Sequence, residues 1–158
     1  MKIATLVYII KDGKVLMGEK KVGEVGTGTL AGSGGKLNLD ETLVECAVRE
    51  TLEEFEIEID PAKLELTAVI TFFAAGVADF KVHIYRTSIF KGEAHETLEM
   101  KAPTWYDLEN MPYDRMLDSD NKWFPKIAKG EKFNANVYYK QRAAGFQKIE
   151  FLPFSPTD

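Results

Sequence analysis

The feature that most constrains this 158-residue chain is a predicted helix over residues 42–56 that combines an apolar stripe with a dense acidic cluster. Steps of one, three and four residues place the charged side chains on one side of an α-helix; they are Arg49, Glu50, Glu53 and Glu54. The apolar positions follow the spacing of a core-facing helix; they are Val44, Ala47, Val48, Thr51, Leu52 and Phe55. The pattern therefore predicts one face for burial and another for negative charge.

The acidic face requires an explanation, because like-charge pairs at this spacing destabilise a helix by roughly 0.2–0.5 kcal/mol each. A hard divalent cation reverses the sign of that interaction, since Mg²⁺ binds carboxylate oxygens and keeps several waters. A solvated acidic surface is the alternative, and the helix alone leaves it open.

A glycine-rich segment directly precedes the helix, and Gly32–Gly35 followed by Lys36 lets the backbone approach a phosphate closely. From Gly35 to Ile57 the chain resembles the Nudix box. The matching positions are Gly35, Glu41, Arg49, Glu50, Thr51, Leu52, Glu53, Glu54, Phe55, Glu56 and Ile57. Thr51 replaces an aliphatic residue, which a half-buried site tolerates. Glu56 replaces the glycine that would end the helix in a left-handed turn, so the geometry of the helix exit stays open.

The resemblance extends over residues 3 to about 139. The segments TLVYIIKDGKVLMGEKK, LAGSGGK and LEMKAPTWYDLENMPYDRMLDSDNKWFP are similar to the Nudix branch that hydrolyses oxidised purine nucleoside triphosphates such as 8-oxo-dGTP. The LEM and WFP segments are more restrictive than the box, which occurs across many substrate classes. The resemblance implies an α/β fold: a Nudix-type α/β/α sandwich with a mixed sheet, one long catalytic helix and one short second helix.

The resemblance also implies a metal site and its catalytic residues. Its expected ligands are the carboxylates of Glu50, Glu53, Glu54 and Glu99 and the backbone carbonyl of Gly34. Arg49 would orient the carboxylates by charge-assisted hydrogen bonds. The expected cofactor is Mg²⁺, with Mn²⁺ as an alternative. Either Glu53 or Glu54 would accept the proton of the attacking water, and the sequence does not decide between them.

The substrate-binding residues implied by the resemblance fall into a phosphate end and a base end. They are Thr5, Lys20, Ala31, Gly34, Gly35, Lys36, Phe72, Leu117, Asp118 and Asp120. The base end departs from the family, which has asparagine at position 31, a stacking tryptophan at 117 and adjacent aspartates at 119 and 120. Losing the ring forfeits roughly 1–3 kcal/mol of base binding. The alternative role of Asp118 and Asp120 is to cap the second helix.

Local patterns predict the remaining elements. A hairpin turns at Lys11-Asp12-Gly13, and a second turns at Ala75-Gly76. The predicted strands are 3–10, 14–20, 64–75, 79–90, 99–107, 132–140 and 145–152. Residues 22–35 are predicted to form a loop, and residues 121–129 a short helix with Pro125 in its first turn.

The composition limits the number of domains and the classes of protein to which this chain can belong. With 45% apolar residues, 158 residues suit a single domain spanning 1–158. A net charge of −5 argues against binding long nucleic acid, and no segment reaches the roughly 18 apolar residues of a membrane span. The single cysteine, Cys46, suits a reducing compartment. We therefore expect a cytoplasmic monomer with a nucleotide substrate.

The function predicted from these observations is Mg²⁺-dependent hydrolysis of a nucleoside triphosphate to the monophosphate and pyrophosphate. Two alternatives remain. The altered base end could accept another nucleoside diphosphate derivative or the 5′ end of RNA, or the protein could be a nucleotide-sensing module without turnover. Such modules usually lose one or more box carboxylates, whereas all are present here.

Overall fold

The computed structural model describes residues 1–157, which form two α-helices and eleven β-strands. In chain order they are β1 (Lys2–Lys11), β2 (Lys14–Glu19), β3 (Leu30–Ala31), β4 (Ser33–Lys36), α1 (Leu43–Phe55), β5 (Glu58–Ile59), β6 (Glu65–Ala74), β7 (Val77–Thr87), β8 (Phe90–Lys91), β9 (Thr104–Asp107), α2 (Asp120–Ala128), β10 (Phe133–Gln141) and β11 (Ala144–Leu152). Within this part of the chain, no helix is long and apolar enough to cross a membrane.

Nine strands build one mixed sheet in the order β11-β10-β6-β7-β1-β2-β3, with β4 paired to β1 and β9 paired to β2. The pairs β1–β7 and β10–β6 are parallel, and the other pairs are antiparallel. Strands β5 and β8 form a separate two-stranded sheet. The two helices lie on opposite faces of the large sheet, so the predicted α/β/α sandwich is confirmed.

Strand β1 lies inside the large sheet, between β7 on one side and β2 and β4 on the other, and its alternate side chains are buried on both faces of the sheet. Tyr8 and Ile10 join the apolar cluster that contains α2, whereas Val7 and Ile9 join the cluster that contains Ala47 and Phe55 of α1. A strand buried on both faces reads as a continuous apolar run, as this one does.

Both hairpin predictions are confirmed. Asp12 and Gly13 connect β1 to β2 with φ of 53° and 75°. Ala75 and Gly76 connect β6 to β7 with φ of 51° and 79°. Two consecutive positive φ angles match the right-handed twist of the flanking strands.

The prediction of a loop over 22–35 is wrong at its end, because residues 30–31 form β3 and residues 33–36 form β4. A Cβ atom at Gly34 would lie 2.2 Å from the backbone oxygen of Thr5 in β1. The strand therefore forms because glycine lets β4 approach β1, and this tertiary contact overrides the low strand propensity of glycine.

Several further boundaries differ from prediction. The strand expected over 79–90 is β7, Val77–Thr87, and Phe90–Lys91 forms the separate strand β8. The strand expected over 99–107 begins only at Thr104, after Pro103, and Met100 makes an isolated bridge to Lys20. Proline cannot donate a ladder hydrogen bond, which explains the late start. Pro125 lies inside α2, beyond the first turn where it was predicted.

Helix α1 is confirmed and begins with a capping box. The Thr42 hydroxyl accepts a hydrogen bond from the Glu45 amide, and the Glu45 carboxylate accepts one from the Thr42 amide. The predicted division into a buried and a charged face is wrong in part. Leu52 is 49% exposed, whereas Glu50 and Glu54 are only 8% and 4% exposed. The helix turns two of its carboxylates towards β4 instead of solvent.

Candidate active site

One cavity of about 410 Å³ lies between the sheet, α1, the start of α2 and the loop before β3. It collects most of the residues predicted from the sequence: Thr5, Lys20, Ala31, Gly34, Gly35, Lys36, Glu50, Glu54, Phe72, Glu99, Leu117 and Asp120. Three predicted residues, Arg49, Glu53 and Asp118, are absent from the cavity wall among the residues described. Arg49 contacts the acidic cluster from its outer side, and Asp118 is exposed before α2. The exposed Glu53 belongs to the acidic cluster without lining the cavity.

Three carboxylates converge beside the cavity, and two of them, Glu50 and Glu99, line it. Oxygen atoms of Glu50, Glu53 and Glu99 lie within 4.8 Å of one another. The first two come from α1, and Glu99 comes from the irregular segment before β9. Carboxylate oxygens in this number are the donor set that hard divalent cations prefer, so the residues fit such an ion.

Glu54, predicted as a fourth ligand, has a different environment. Its Oε1 accepts a hydrogen bond of 2.7 Å from the Gly34 amide of β4, and it is not one of the three converging carboxylates. Burial raises the pKa of Glu54 to about 8, against the opposing effects of the Gly34 hydrogen bond and Lys20. Burial also raises the pKa of Glu50, although Arg49 opposes the shift.

Arg49 holds the acidic residues in place, as the resemblance implied. Its Nε and one terminal nitrogen donate to the two carboxylate oxygens of Glu41 at 2.5 and 3.0 Å. The other terminal nitrogen donates to Glu50 at 2.7 Å and to Glu53 at 3.2 Å. The Arg49 hydrogen bonds lower the pKa of Glu41 to about 2. One planar guanidinium thus orients three carboxylates.

The two departures from the box pattern are accommodated differently. Thr51 is fully buried and not half-buried as expected. Its hydroxyl donates to the Ala47 carbonyl at 2.8 Å and lies 2.7 Å from the Ser33 hydroxyl of β4. A polar residue is tolerated there because its hydroxyl has partners. Glu56 ends α1 with φ of 59°, so the left-handed exit is kept without glycine.

The base end of the cavity contains one buried carboxyl group. Asp120 is 4% exposed, and within residues 1–157 its Oδ1 has no hydrogen-bond partner. Burial raises its pKa to about 8. Ala31 and Leu117 contribute aliphatic surface beside it.

Ser119 is engaged by the protein itself. The Tyr139 hydroxyl accepts a hydrogen bond from the Ser119 amide at 2.9 Å and donates one to the Ser119 hydroxyl at 2.8 Å. Trp123 Nε1 also donates to that hydroxyl at 3.4 Å. Ser119 is the N-cap of α2, and in the described chain no side chain caps this helix. The capping alternative for Asp118 and Asp120 is therefore wrong.

Sequence reasoning missed several residues of the cavity wall, notably Tyr139 and Arg142. Neither lies near a motif. The parallel pairing of β10 with β6 brings Tyr139 to the cavity, and Arg142 lies in the turn between β10 and β11. Phe72 and Phe73 both line it although they are consecutive. The β6–β7 register shifts between these two residues. Phe72 packs against the apolar cluster that contains α2, whereas the Phe73 ring stacks on Tyr138 with ring centroids 4.7 Å apart.

The chain is similar to known proteins in sequence and in fold. The oxidized purine nucleoside triphosphate hydrolase of Danio rerio is 37% identical over 133 residues, which cover 84% of this chain and 83% of that protein. The protein of the same name from Mus musculus is 34% identical over 142 residues and covers 89% and 88%. The crystal structure of the mMutator MutT protein from Bacillus halodurans superposes with a TM-score of 0.80 over 96% of this chain and 97% of that one. At 18% identity that likeness speaks for the fold alone. The NUDIX domain model matches residues 1–127, and the chain therefore belongs to the Nudix family.

Proposed function

We propose that this protein hydrolyses a nucleoside triphosphate, with an oxidised purine nucleotide as the first candidate, to the monophosphate and pyrophosphate. The observation that carries the proposal is the convergence of Glu50, Glu53 and Glu99 beside a cavity that Glu50, Glu99 and Asp120 line. The names of the two relatives support the substrate class.

The proposal covers one hydrolase domain over residues 1–158, of which Asp158 lies outside the described residues. The cytoplasmic location and the monomeric state expected from the sequence stay predictions.

We assign Mg²⁺ to the converging carboxylates, with Mn²⁺ as the alternative. Nudix hydrolases use divalent metals, and three carboxylates match the preference of these ions for oxygen. When bound, the ion would neutralise charge on the phosphates and lower the pKa of a bound water. Lys20 and Lys36 line the same cavity, where their positive charges suit the phosphates. The Gly34 carbonyl stays a predicted ligand.

The open choice between Glu53 and Glu54 now has a structural argument. Glu53 belongs to the converging group, whereas Glu54 is buried beside it with one oxygen held by the Gly34 amide. We therefore assign Glu53 as a ligand and Glu54 as the group that accepts the proton from the attacking water. The Gly34 hydrogen bond would orient Glu54 for that transfer.

Substitution of each glutamate by glutamine separates the two roles. We expect Glu53→Gln to weaken Mn²⁺ binding. Electron paramagnetic resonance in the absence of nucleotide measures this binding. We expect Glu54→Gln to bind Mn²⁺ normally and to release pyrophosphate about 10²–10⁴-fold more slowly. The control is Glu58→Gln, which changes an exposed glutamate in β5, shortly after the end of α1. If Glu53→Gln and Glu54→Gln both keep most of the activity, the assignment of this helix to the chemistry is wrong.

The base end supports a second candidate within the same chemistry. Ala31 and Leu117 offer no ring or amide for a base, and Ser119 is held by Tyr139. A dinucleoside polyphosphate, a nucleotide sugar or the triphosphate end of RNA would depend less on base contacts. Turnover of these compounds beside normal and oxidised nucleoside triphosphates, at equal concentration, separates the candidates. A tenfold preference for a non-triphosphate would replace the first proposal.

The presence of a full acidic cluster argues against a nucleotide sensor without turnover. A sensor needs no orientation of ligands by Arg49, yet this clamp is complete here. Nucleotide binding without any release of phosphate or pyrophosphate would nevertheless support the sensor.

A further inference from the structure

The position of Glu99 needs an explanation, because it lies in an irregular segment and yet its carboxylate meets two residues of α1. Residues 92–103 between β8 and β9 contain no helix or strand. Oxygen atoms of Glu99, Glu50 and Glu53 nevertheless lie within 4.8 Å of one another. Irregular segments open locally unless specific contacts hold them. A contact between this segment and α1 is therefore needed to keep the three carboxylates together.

The hydroxyl of Thr97 makes that contact. It donates a hydrogen bond to the Glu54 carbonyl at 2.9 Å. It also accepts hydrogen bonds from the amides of Glu99 and Met100 at 3.3 and 3.2 Å. One side-chain atom thus joins the backbone of α1 to the backbone of Glu99.

The Glu54 carbonyl is a suitable attachment point. The last four carbonyl groups of an α-helix have no partner within the helix, and Glu54 is the penultimate residue of α1. The neighbouring Phe55 carbonyl accepts a hydrogen bond from the His95 amide at 3.2 Å. The segment that carries Glu99 therefore satisfies the end of the helix that carries Glu50 and Glu53.

The opposite side of the segment is attached to the end of β2. The Lys21 amide donates to the Glu99 carbonyl at 2.8 Å, and Lys21 Nζ donates to the Thr97 carbonyl at 2.8 Å. Met100 is fully buried beneath it. With its far side attached in this way, the segment is joined to α1 through His95 and Thr97, and of these two links only the Thr97 hydroxyl also binds the amide of Glu99 itself.

We propose that Thr97 is a positioning residue that sets the separation between Glu99 and the two carboxylates of α1, and thereby the affinity of the cluster for a divalent cation. The inference rests on the proposed function in one respect, namely that these three carboxylates hold the cation. Thr97 itself would not touch the ion. It acts through the backbone of Glu99, as outer partners of metal ligands do.

Two substitutions at one position test the proposal. Thr97→Val keeps the shape and removes the hydroxyl, whereas Thr97→Ser keeps the hydroxyl. Mn²⁺ would be titrated into the full chain without nucleotide and followed by electron paramagnetic resonance. We expect the Kd to rise about tenfold or more in Thr97→Val and to stay within about twofold of the wild type in Thr97→Ser. In turnover assays with Mg²⁺, the activation constant of the metal would rise in Thr97→Val, whereas KM for nucleotide at saturating metal would not change.

Thr67→Val is the matched control, because it also removes a threonine hydroxyl that donates to a backbone carbonyl, here Ile84 at 3.1 Å in the buried sheet. We expect its Mn²⁺ Kd to match the wild type. Thr97→Ala, with the same expected loss of affinity, replaces Thr97→Val if the valine variant does not fold. Wild-type affinity in the hydroxyl-free variants, or equal losses in Thr97→Ser and Thr97→Val, would overturn the proposal. If the wild-type chain binds no Mn²⁺, the metal site is wrong and this inference falls with it.

Discussion

The carboxyl group of Glu50 occupies the space that a side chain at position 35 would need. A Cβ atom on Gly35 would lie 2.4 Å from Cδ and from Oε1 of Glu50. Cβ atoms essentially never show non-bonded contacts this short, so the Glu50 carboxylate can keep this position against β4 only when residue 35 is glycine. The glycine of the box is therefore required by the position of a glutamate fifteen residues later.

We expect Gly35→Ala to displace the Glu50 carboxylate and to weaken Mn²⁺ binding about tenfold or more, with a parallel loss of pyrophosphate release. Gly13→Ala is the control. The Cβ atom at position 13 meets nothing within 4 Å, and its φ of +75° gives a strain cost of about 1 kcal/mol. The control would thus lose stability and keep its metal affinity. Normal metal binding in Gly35→Ala would contradict the prediction.

Glu56 ends α1 in a left-handed conformation that a side chain disfavours by about 1–2 kcal/mol. We expect Glu56→Gly to raise the free energy of unfolding by about 0.5–1 kcal/mol, since glycine relieves this strain but loses more backbone entropy on folding. Urea denaturation measures the change. The control Glu58→Gly alters an exposed residue in the extended conformation of β5 and would destabilise the protein. Equal losses in both variants would show that the helix exit is not strained.

The pKa of Asp120, raised by burial from 3.8 to about 8, makes stability depend on pH. Between these two values the folded protein holds a proton that the unfolded chain has lost, so the free energy of unfolding falls as pH rises from about 4 to about 8 and this contribution is flat outside that window. We expect Asp120→Asn to be more stable than the wild type by a few kcal/mol, about 2–5, near pH 8 and similar to it near pH 4.

Thermal unfolding over this pH range checks the Asp120 prediction. Asp118→Asn is the control, because Asp118 is the exposed acidic neighbour and its replacement would change stability by only about 0.5 kcal/mol. If the difference in the free energy of unfolding between Asp120→Asn and the wild type is the same at all pH values, the Asp120 pKa is not raised in the folded protein.

The Tyr139 hydroxyl satisfies the Ser119 amide and hydroxyl at the start of α2. We expect Tyr139→Phe to lower the free energy of unfolding by about 1–3 kcal/mol, because it leaves a buried amide without its partner. A double-mutant cycle with Ser119→Ala would show a coupling of at least about 0.5 kcal/mol. Tyr85→Phe, in the buried cluster on the opposite face of the sheet, is the control. If the stability changes of the two single variants add up to that of the double variant, Tyr139 and Ser119 are not energetically coupled.

Much of the architecture follows from local patterns. The Asp12-Gly13 turn was predictable because few residue pairs accept two positive φ angles. The helix α1 was predicted from its apolar period. Its Thr42 cap was not predicted from the sequence, although the capping box depends only on residues three positions apart. The Nudix resemblance added Glu99, which no local pattern indicates.

Other features could not be predicted from local sequence patterns. The burial of Glu50 and Glu54 reverses what a charged helix face predicts, and it depends on β4 lying against α1. Strand β4 itself is glycine-rich and has no strand signature, so its existence depends on the approach to β1. Tyr139 reaches the cavity through a parallel strand pair formed by distant segments.

From its sequence alone, the chain determines its turns, its helix boundaries and the set of acidic residues, because these depend on backbone preferences and spacings within a few residues. Only the tertiary structure decides which carboxylates converge and which are buried. Distances such as that from Glu99 to Glu53, and the loss of water around Glu54, arise when segments far apart in the chain pack together.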